Sequence, residues 1–429
     1  MNRRSAAYRR IMERQSQLQR FLNQQYSLGR VDSEGNFTVA GDMAAKKLGQ
    51  SALPSRMSWI LKVVQAAVGE PRVKAIDVSV YSYFVDVSLE GDVFWTAESL
   101  HNLLDDIQAR PPLPVVSLLM AVRDRFEEGN QFLFTFKGWR EALYWSGEEV
   151  RVEVLEQPAD HTLLSVQTGV PVGPYSSVAA LQARFNADLS QVLQDNCYLC
   201  PIPLTMDGKR VDNLFHVERE EDRFGLVVAW GAEESHIGKM RLPVSIGADH
   251  ATGLEQLPEE LSGLYGALRG SVSPARSGIV NAWFVRANFR CQTRVRDRAW
   301  NAVESPSHFL FVKDGVIVDS HPIILPRGHV SLSVVVDASG FIQDLTGFSL
   351  VKNDYLETRK KKALEASAKA VSGNKLSIPS YRVEAKSLLD YIFNPLSFFD
   401  AKDLVSNPEQ LIEEITEGYG VLKGRLEVL

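Results

Sequence analysis

The stretch Leu61-Lys62-Val63-Val64-Gln65-Ala66-Ala67-Val68-Gly69-Glu70 places Leu61, Val64 and Val68 at helical spacing behind Ile60, and Gly69 with Pro71 then ends the helix. Immediately downstream, Ile76, Val78 and Val80 alternate with polar neighbours as a strand requires, and a second strand over 84–89 runs into the turn signal Glu90-Gly91-Asp92. A helix over 97–107 follows, closed by Pro111, Pro112 and Pro114, and another is expected over 115–126. Strands are expected over 131–137, 143–145, 150–155 and 163–168, and a helix over 178–193. The run 197–204 reads as strand-like and meets the tight turn Met206-Asp207-Gly208-Lys209.

Short strands dominate after that turn. The segments 226–230, 279–289, 308–318 and 330–336 are enriched in β-branched and aromatic residues and predict a second sheet. From Asp354 to Ala370 the composition shifts to Lys, Glu and Ala without breakers, a helix that Ser372-Gly373-Asn374 ends. A helical tail over 387–428 is interrupted by Pro395 and Pro408. On the other side of the starting stretch, 5–27 reads as an amphipathic helix and 29–41 as a turn-rich connector. The expected organisation is α+β: an N-terminal helix and connector (1–45), a first α/β domain (46–205), a second α+β domain (206–375) and a short helical C-terminal tail (376–429). No repeat of solenoid length and no low-complexity tract interrupts it.

At 429 residues the chain suits two or three domains, and 45% hydrophobic with 23% charged residues is a globular composition. A net charge of −6 argues against a protein devoted as a whole to nucleic acid. The first thirty residues are the exception, with Arg3, Arg4, Arg9, Arg10, Arg14, Arg20 and Arg30 against Glu13 alone. This arm is expected to dock with a solvated basic face, or to meet an acidic partner or nucleic acid. Three cysteines suit a reducing compartment rather than a disulfide framework. With no apolar run of membrane-spanning length and no secretory h-region, a soluble, cytoplasmic protein is expected.

The order helix, two strands, two helices, strands, then Tyr198-Leu199-Cys200-Pro201-Ile202-Pro203-Leu204 before a β-rich region resembles the GHKL nucleotide-binding superfamily of Hsp90-type chaperones, gyrase B, mismatch-repair ATPases and histidine kinases. Leu61 to Glu70 is similar to that family's first helix, R-E-L-[IV]-Q-N-A-x-D-A. Glu90 to Trp95, followed by Thr96-Ala97-Glu98-Ser99-Leu100, sits where the family has D-N-G-x-G-M and a helix. The segment from Asp337 through Gly340, Gly347 and Asn353 to Asp354 resembles the close of the second, ribosomal-S5-like domain of Hsp90-like proteins. The resemblance covers residues 50–360. It implies a Bergerat-type α/β sandwich followed by an S5-like domain.

It also implies an ATPase, and the residues that chemistry needs are replaced. A general base must accept a proton from the attacking water, and Lys62 stands at the register of the family's Glu. Magnesium needs oxygen ligands, and Ala66 replaces the family's Asn. Glu90 keeps a carboxylate where the family's Asp meets adenine, but Asp92 and Phe94 replace the glycines, and Phe94 is expected to plug the pocket. Near Pro114-Val115-Val116-Ser117 no glycine remains to cradle phosphate, and the 109–114 link is short for a lid. Gln65, Gly69, Glu90 and Asp92 are what would remain of a nucleotide pocket. The expectation is a pseudo-ATPase without cofactor, ATP and magnesium entering only if base and ligands come from elsewhere.

Other chemistry-bearing residues are sparse. Cys197 and Cys200 have the spacing of a zinc half-site or redox pair, which Cys291 with His216 or His236 could complete, or of two small thiols packed in a core. His216 with Glu218, Glu220, Glu221 and Asp222 reads as a solvated loop or a cation site, and the remaining histidines are scattered. Arg359 to Lys362 with Lys369 read as a solvated helix face. Tyr391, Phe393, Phe398 and Phe399 must dock on the body or meet a partner. A protein-interaction or chaperone-like scaffold with a protein partner is the leading expectation, with homo-oligomerisation open. A divergent ATP-binding chaperone-like ATPase and a nucleic-acid-binding accessory protein are the alternatives.

Overall fold

The structure, a computed structural model, describes residues 57–81, 84–105, 131–146, 149–167, 178–211, 217–218, 223–235, 238–242, 278–294, 297–344, 347–373 and 408–428. All lie in the compact unit Ala45–Leu429. The expected helices over 5–27 and 115–126, the basic arm, the short 109–114 link, Pro114 to Ser117 and the aromatic cluster around Asn394 fall outside the described residues.

The first eight strands form one sheet: β1 (Val73–Val80), β2 (Phe84–Gly91), β3 (Phe132–Thr135), β4 (Glu141–Trp145), β5 (Val150–Val154), β6 (Thr162–Gln167), β7 (Leu204–Met206) and β8 (Lys209–Arg210). Their order is β5-β4-β3-β6-β2-β1-β7-β8. Neighbours pair antiparallel except β1 with β7, which run parallel. Strands alternate inward apolar and outward residues, so Ile76, Val78, Val85 and Val87 share one buried face with Phe134 and Val166. Helix α1 (Trp59–Gly69) and helix α3 (Val178–Cys197) cover that face through Ile60, Val64, Leu189 and Leu193, and α2 (Ala97–Asp105) packs at β4 and β5. Fully burying side chains of this size stabilises by about 1.5–3 kcal/mol each.

The second sheet holds β9 (Val217–Glu218), β10 (Arg223–Glu234), β11 (Ile279–Arg294), β12 (Asp297–Ala302), β13 (His308–Lys313), β14 (Val316–Pro322) and β15 (Val330–Asp337). The order is β14-β13-β15-β11-β10-β9, with β12 on β11. Val330 to Val336 are buried throughout, which a strand shows when both faces of its sheet are covered. On one face α4 (Asp354–Gly373) and α5 (Pro408–Leu426) bring Leu356, Val371, Ile415 and Leu422 onto Leu332 and Val334. On the other, Trp230, Phe284, Leu310 and Val335 meet Tyr198 and Leu199, which belong to the link between α3 and β7.

Three local expectations are corrected. The run 197–204 is not a strand: α3 continues to Cys197, the Cys200 N–H bonds the Cys197 carbonyl at 2.9 Å, and only Leu204–Met206 is extended. The expected strand 308–318 is a hairpin, turned at Asp314 and Gly315, both at positive φ (48° and 77°). Glu90 and Gly91 stay in β2, opposite Ala75 and Val73. Helix α5 is described from Pro408 onward, so the expected break there falls at the edge of the described residues.

Gly91 explains its own identity. Its φ is 115°, and a Cβ there would overlap the Arg72 carbonyl oxygen. Gly91→Ala is therefore expected to lose about 2 kcal/mol through backbone strain and overpacking, read as a lowered urea midpoint with unchanged slope. An unaltered midpoint would contradict it.

Candidate functional site

Every residue of α1 from Trp59 to Val68 is buried, because β1 and α3 cover part of the helix and the β13–β14 hairpin of the second sheet covers more. Lys62 and Gln65, three residues apart, share a face and are buried with it. Lys62 Nζ donates to Gln65 Oε1 at 3.2 Å, and Gln65 Nε2 donates to the Lys313 carbonyl at 3.3 Å. Lys313 Nζ in turn donates to Gln343 Oε1 at 2.8 Å. Lys62 Nζ also stands 4.1 Å from the centroid of the Phe348 ring, a cation–π contact. Gly347 permits the approach, since a Cβ there would lie 2.7 Å from that nitrogen.

Burial lowers the Lys62 pKa from 10.5 to about 8; the nearby Lys313 charge adds to the fall, and Asp344 and Asp314 oppose it. Burial likewise raises the Asp314 carboxyl. The cluster thus sets two ammonium groups among two carboxylates and two amides, tying α1 to the loops of the second sheet. At neutral pH Lys62 is still mainly protonated and accepts no proton.

The remaining positions of the expected pocket are arranged differently. Ala66 is buried and offers no oxygen. Gln65 is inside and committed to Lys62 and Lys313, whereas Gly69, Glu90 and Asp92 are exposed. Phe94 plugs nothing: it is 61% exposed, and the Arg72 guanidinium lies 3.6 Å from its ring centroid. The adjacent Trp95 takes the inward place instead, packed edge-on to Phe134 at 6.3 Å.

Among the described residues Glu70, beside the start of β1, is a buried carboxylate. Its Oε2 accepts the Phe94 N–H at 3.4 Å, while Oε1 is buried with no partner among the described residues. An acid directly behind a helix-ending glycine was the available signal, but nothing in the sequence says that the Phe94 backbone would reach it. A buried oxygen without a donor costs about 1–3 kcal/mol, which makes Glu70 a group with unused acceptor capacity.

Elsewhere the candidates read as structure. Cys197 and Cys200 are wholly buried, and burial, reinforced by Cys200, pushes the Cys197 thiol well above its usual range, where it stays protonated and unreactive. Cys291 lies on β11 opposite Trp300, and His216 and His236 fall outside the described residues. Among the described residues no group of His, Cys, Asp or Glu is placed to hold a metal ion. In the basic run of α4, half-buried Lys360 pairs with Glu357 at 3.2 Å and lies over the Phe309 ring, while exposed Lys361 pairs with Glu365 at 3.9 Å, so the expected solvated face holds for only part of the run. Among the described residues no helix is long and apolar enough to cross a membrane. The sequence matches no known protein-family model and no curated protein.

Proposed function

We propose that this chain is a non-catalytic, Hsp90-like pseudo-ATPase that acts as a protein-interaction or chaperone-like scaffold. The observation that carries the reading is the fate of α1. The helix face on which a GHKL ATPase needs a general base and a magnesium ligand presents Lys62 and Gln65, hydrogen-bonded to each other and to the second sheet, with Ala66 beside them. The face is spent on joining two parts of the molecule. A helix followed by two antiparallel strands, the order on which the resemblance partly rests, supports the framework.

A second reading, a divergent ATP-binding ATPase, is favoured by Glu70, whose buried Oε1 has no partner among the described residues. Calorimetric titration with ATP and Mg²⁺, together with thermal shift, separates the two, because a ligand that binds the native state raises its apparent stability. No heat and no shift at millimolar nucleotide is the expected result. Binding that Glu70→Gln abolishes would instead establish the second reading.

A further inference from the structure

Strands β10 and β11 and helix α4 line an open groove of about 670 Å³ on the helix-covered side of the second sheet. That volume falls in the range of small-molecule sites. Its floor is set by two cross-strand pairs. Gly231 lies opposite Trp283, and a Cβ at Gly231 would meet the indole at 2.7 Å, so the glycine makes room for the ring. Glu233 lies opposite Asn281, whose Nδ2 donates to Glu233 Oε2 at 2.7 Å. The facing wall of α4 is small where it borders the groove, with Ala366, Ala370 and Gly373 at helical spacing.

The polar groups select the ligand's chemistry. A carboxylate only accepts hydrogen bonds, so Glu233 fixes the Asn281 amide with its nitrogen toward the carboxylate and leaves Oδ1 as the unpaired end. Asn281 is 5% exposed, and that oxygen is buried with no partner among the described residues. The strand wall thus holds a buried, unpaired neutral acceptor beside a carboxylate, next to an indole, while exposed Lys369 stands on the helix wall. A planar cation with several N–H donors suits two adjacent acceptors, and an anionic group on the same molecule suits Lys369.

We propose that this groove binds a small zwitterion of the amino-acid class, with a guanidinium or ammonium group at Asn281 and Glu233 and a carboxylate toward Lys369. The probes are L-arginine and agmatine, which lacks the carboxylate, titrated calorimetrically into the full chain. L-Arginine is expected to bind, and Glu233→Gln to weaken it about tenfold or more. Lys369→Ala should weaken L-arginine and leave agmatine unchanged. Ala370→Leu, which fills the groove without opening a cavity, should abolish binding of both with the melting temperature kept. Absence of binding by either probe at millimolar concentration, or binding indifferent to both Glu233→Gln and Ala370→Leu, would overturn the assignment.

Discussion

Lys62→Met is expected to raise the unfolding free energy at pH 7, by up to about 3 kcal/mol, and to lose that advantage as the pH rises toward 10.5. The ammonium is buried, so the folded protein holds its proton with a pKa of about 8 against 10.5 for the free side chain. Between those values the unfolded chain binds a proton that the native state has released, and stability therefore rises with pH across that window. Below pH 8 the wild type carries the full cost of the buried charge, which an apolar side chain of similar length removes. The lost bond to Gln65 and the lost cation–π contact with Phe348 offset part of the gain. Urea denaturation of both proteins from pH 7 to 10.5 measures the difference. A variant less stable than wild type at pH 7, by a margin that does not change with pH, would refute the account.

Gly315→Val should cost about 3–5 kcal/mol. Gly315 has a φ of 77°, and its Cβ would stand 2.7 Å from Pro201 Cδ and 3.1 Å from Val68 Cγ2. Two penalties add: a β-branched side chain in left-handed backbone, and a wedge driven between the hairpin and the α1 and α3 termini. Gly208 separates them, because its φ of 73° is similar but a Cβ there meets nothing within 4 Å. Gly208→Val should then cost only the backbone share, about 1–2 kcal/mol. Equal losses at the two glycines would show that the hairpin does not press on the first sheet's core.

These two positions also mark what was legible in the sequence. Lys62 stood out in the sequence as a charge within an apolar helix, but its setting depends on Lys313 and Gln343, which adjoin it only through tertiary packing. The helix, the hairpin of β1 and β2, and the strands from 131 to 167 followed from apolar spacing, because each buries one face and that requirement writes a period into the chain. The β13–β14 turn was hidden for the opposite reason. Phe309 to Val318 is buried on both sides of Asp314-Gly315, so the apolar run continues across the turn and masks it. Cys197 to Leu204 misled similarly, since Tyr198 and Leu199 are apolar to serve the second sheet rather than a strand of their own. Glu70 was invisible as a buried acid because its partner, the Phe94 N–H, reaches it only through the tertiary fold. The groove at Asn281 depends on the seating of α4 over β10 and β11, which no local pattern encodes.

The parallel pairing of β1 with β7 has a consequence for biosynthesis. Roughly 120 residues separate the end of β1 from β7, so at ordinary elongation rates the ribosome needs about 6–25 s to deliver the second partner after the first has emerged. For that interval Ile76, Asp77 and Val78 present an open hydrogen-bonding edge, and an open edge recruits foreign strands. The nascent chain is most exposed to misassembly before residue 206 leaves the exit tunnel, and truncations that stop short of it should aggregate where those that include it do not.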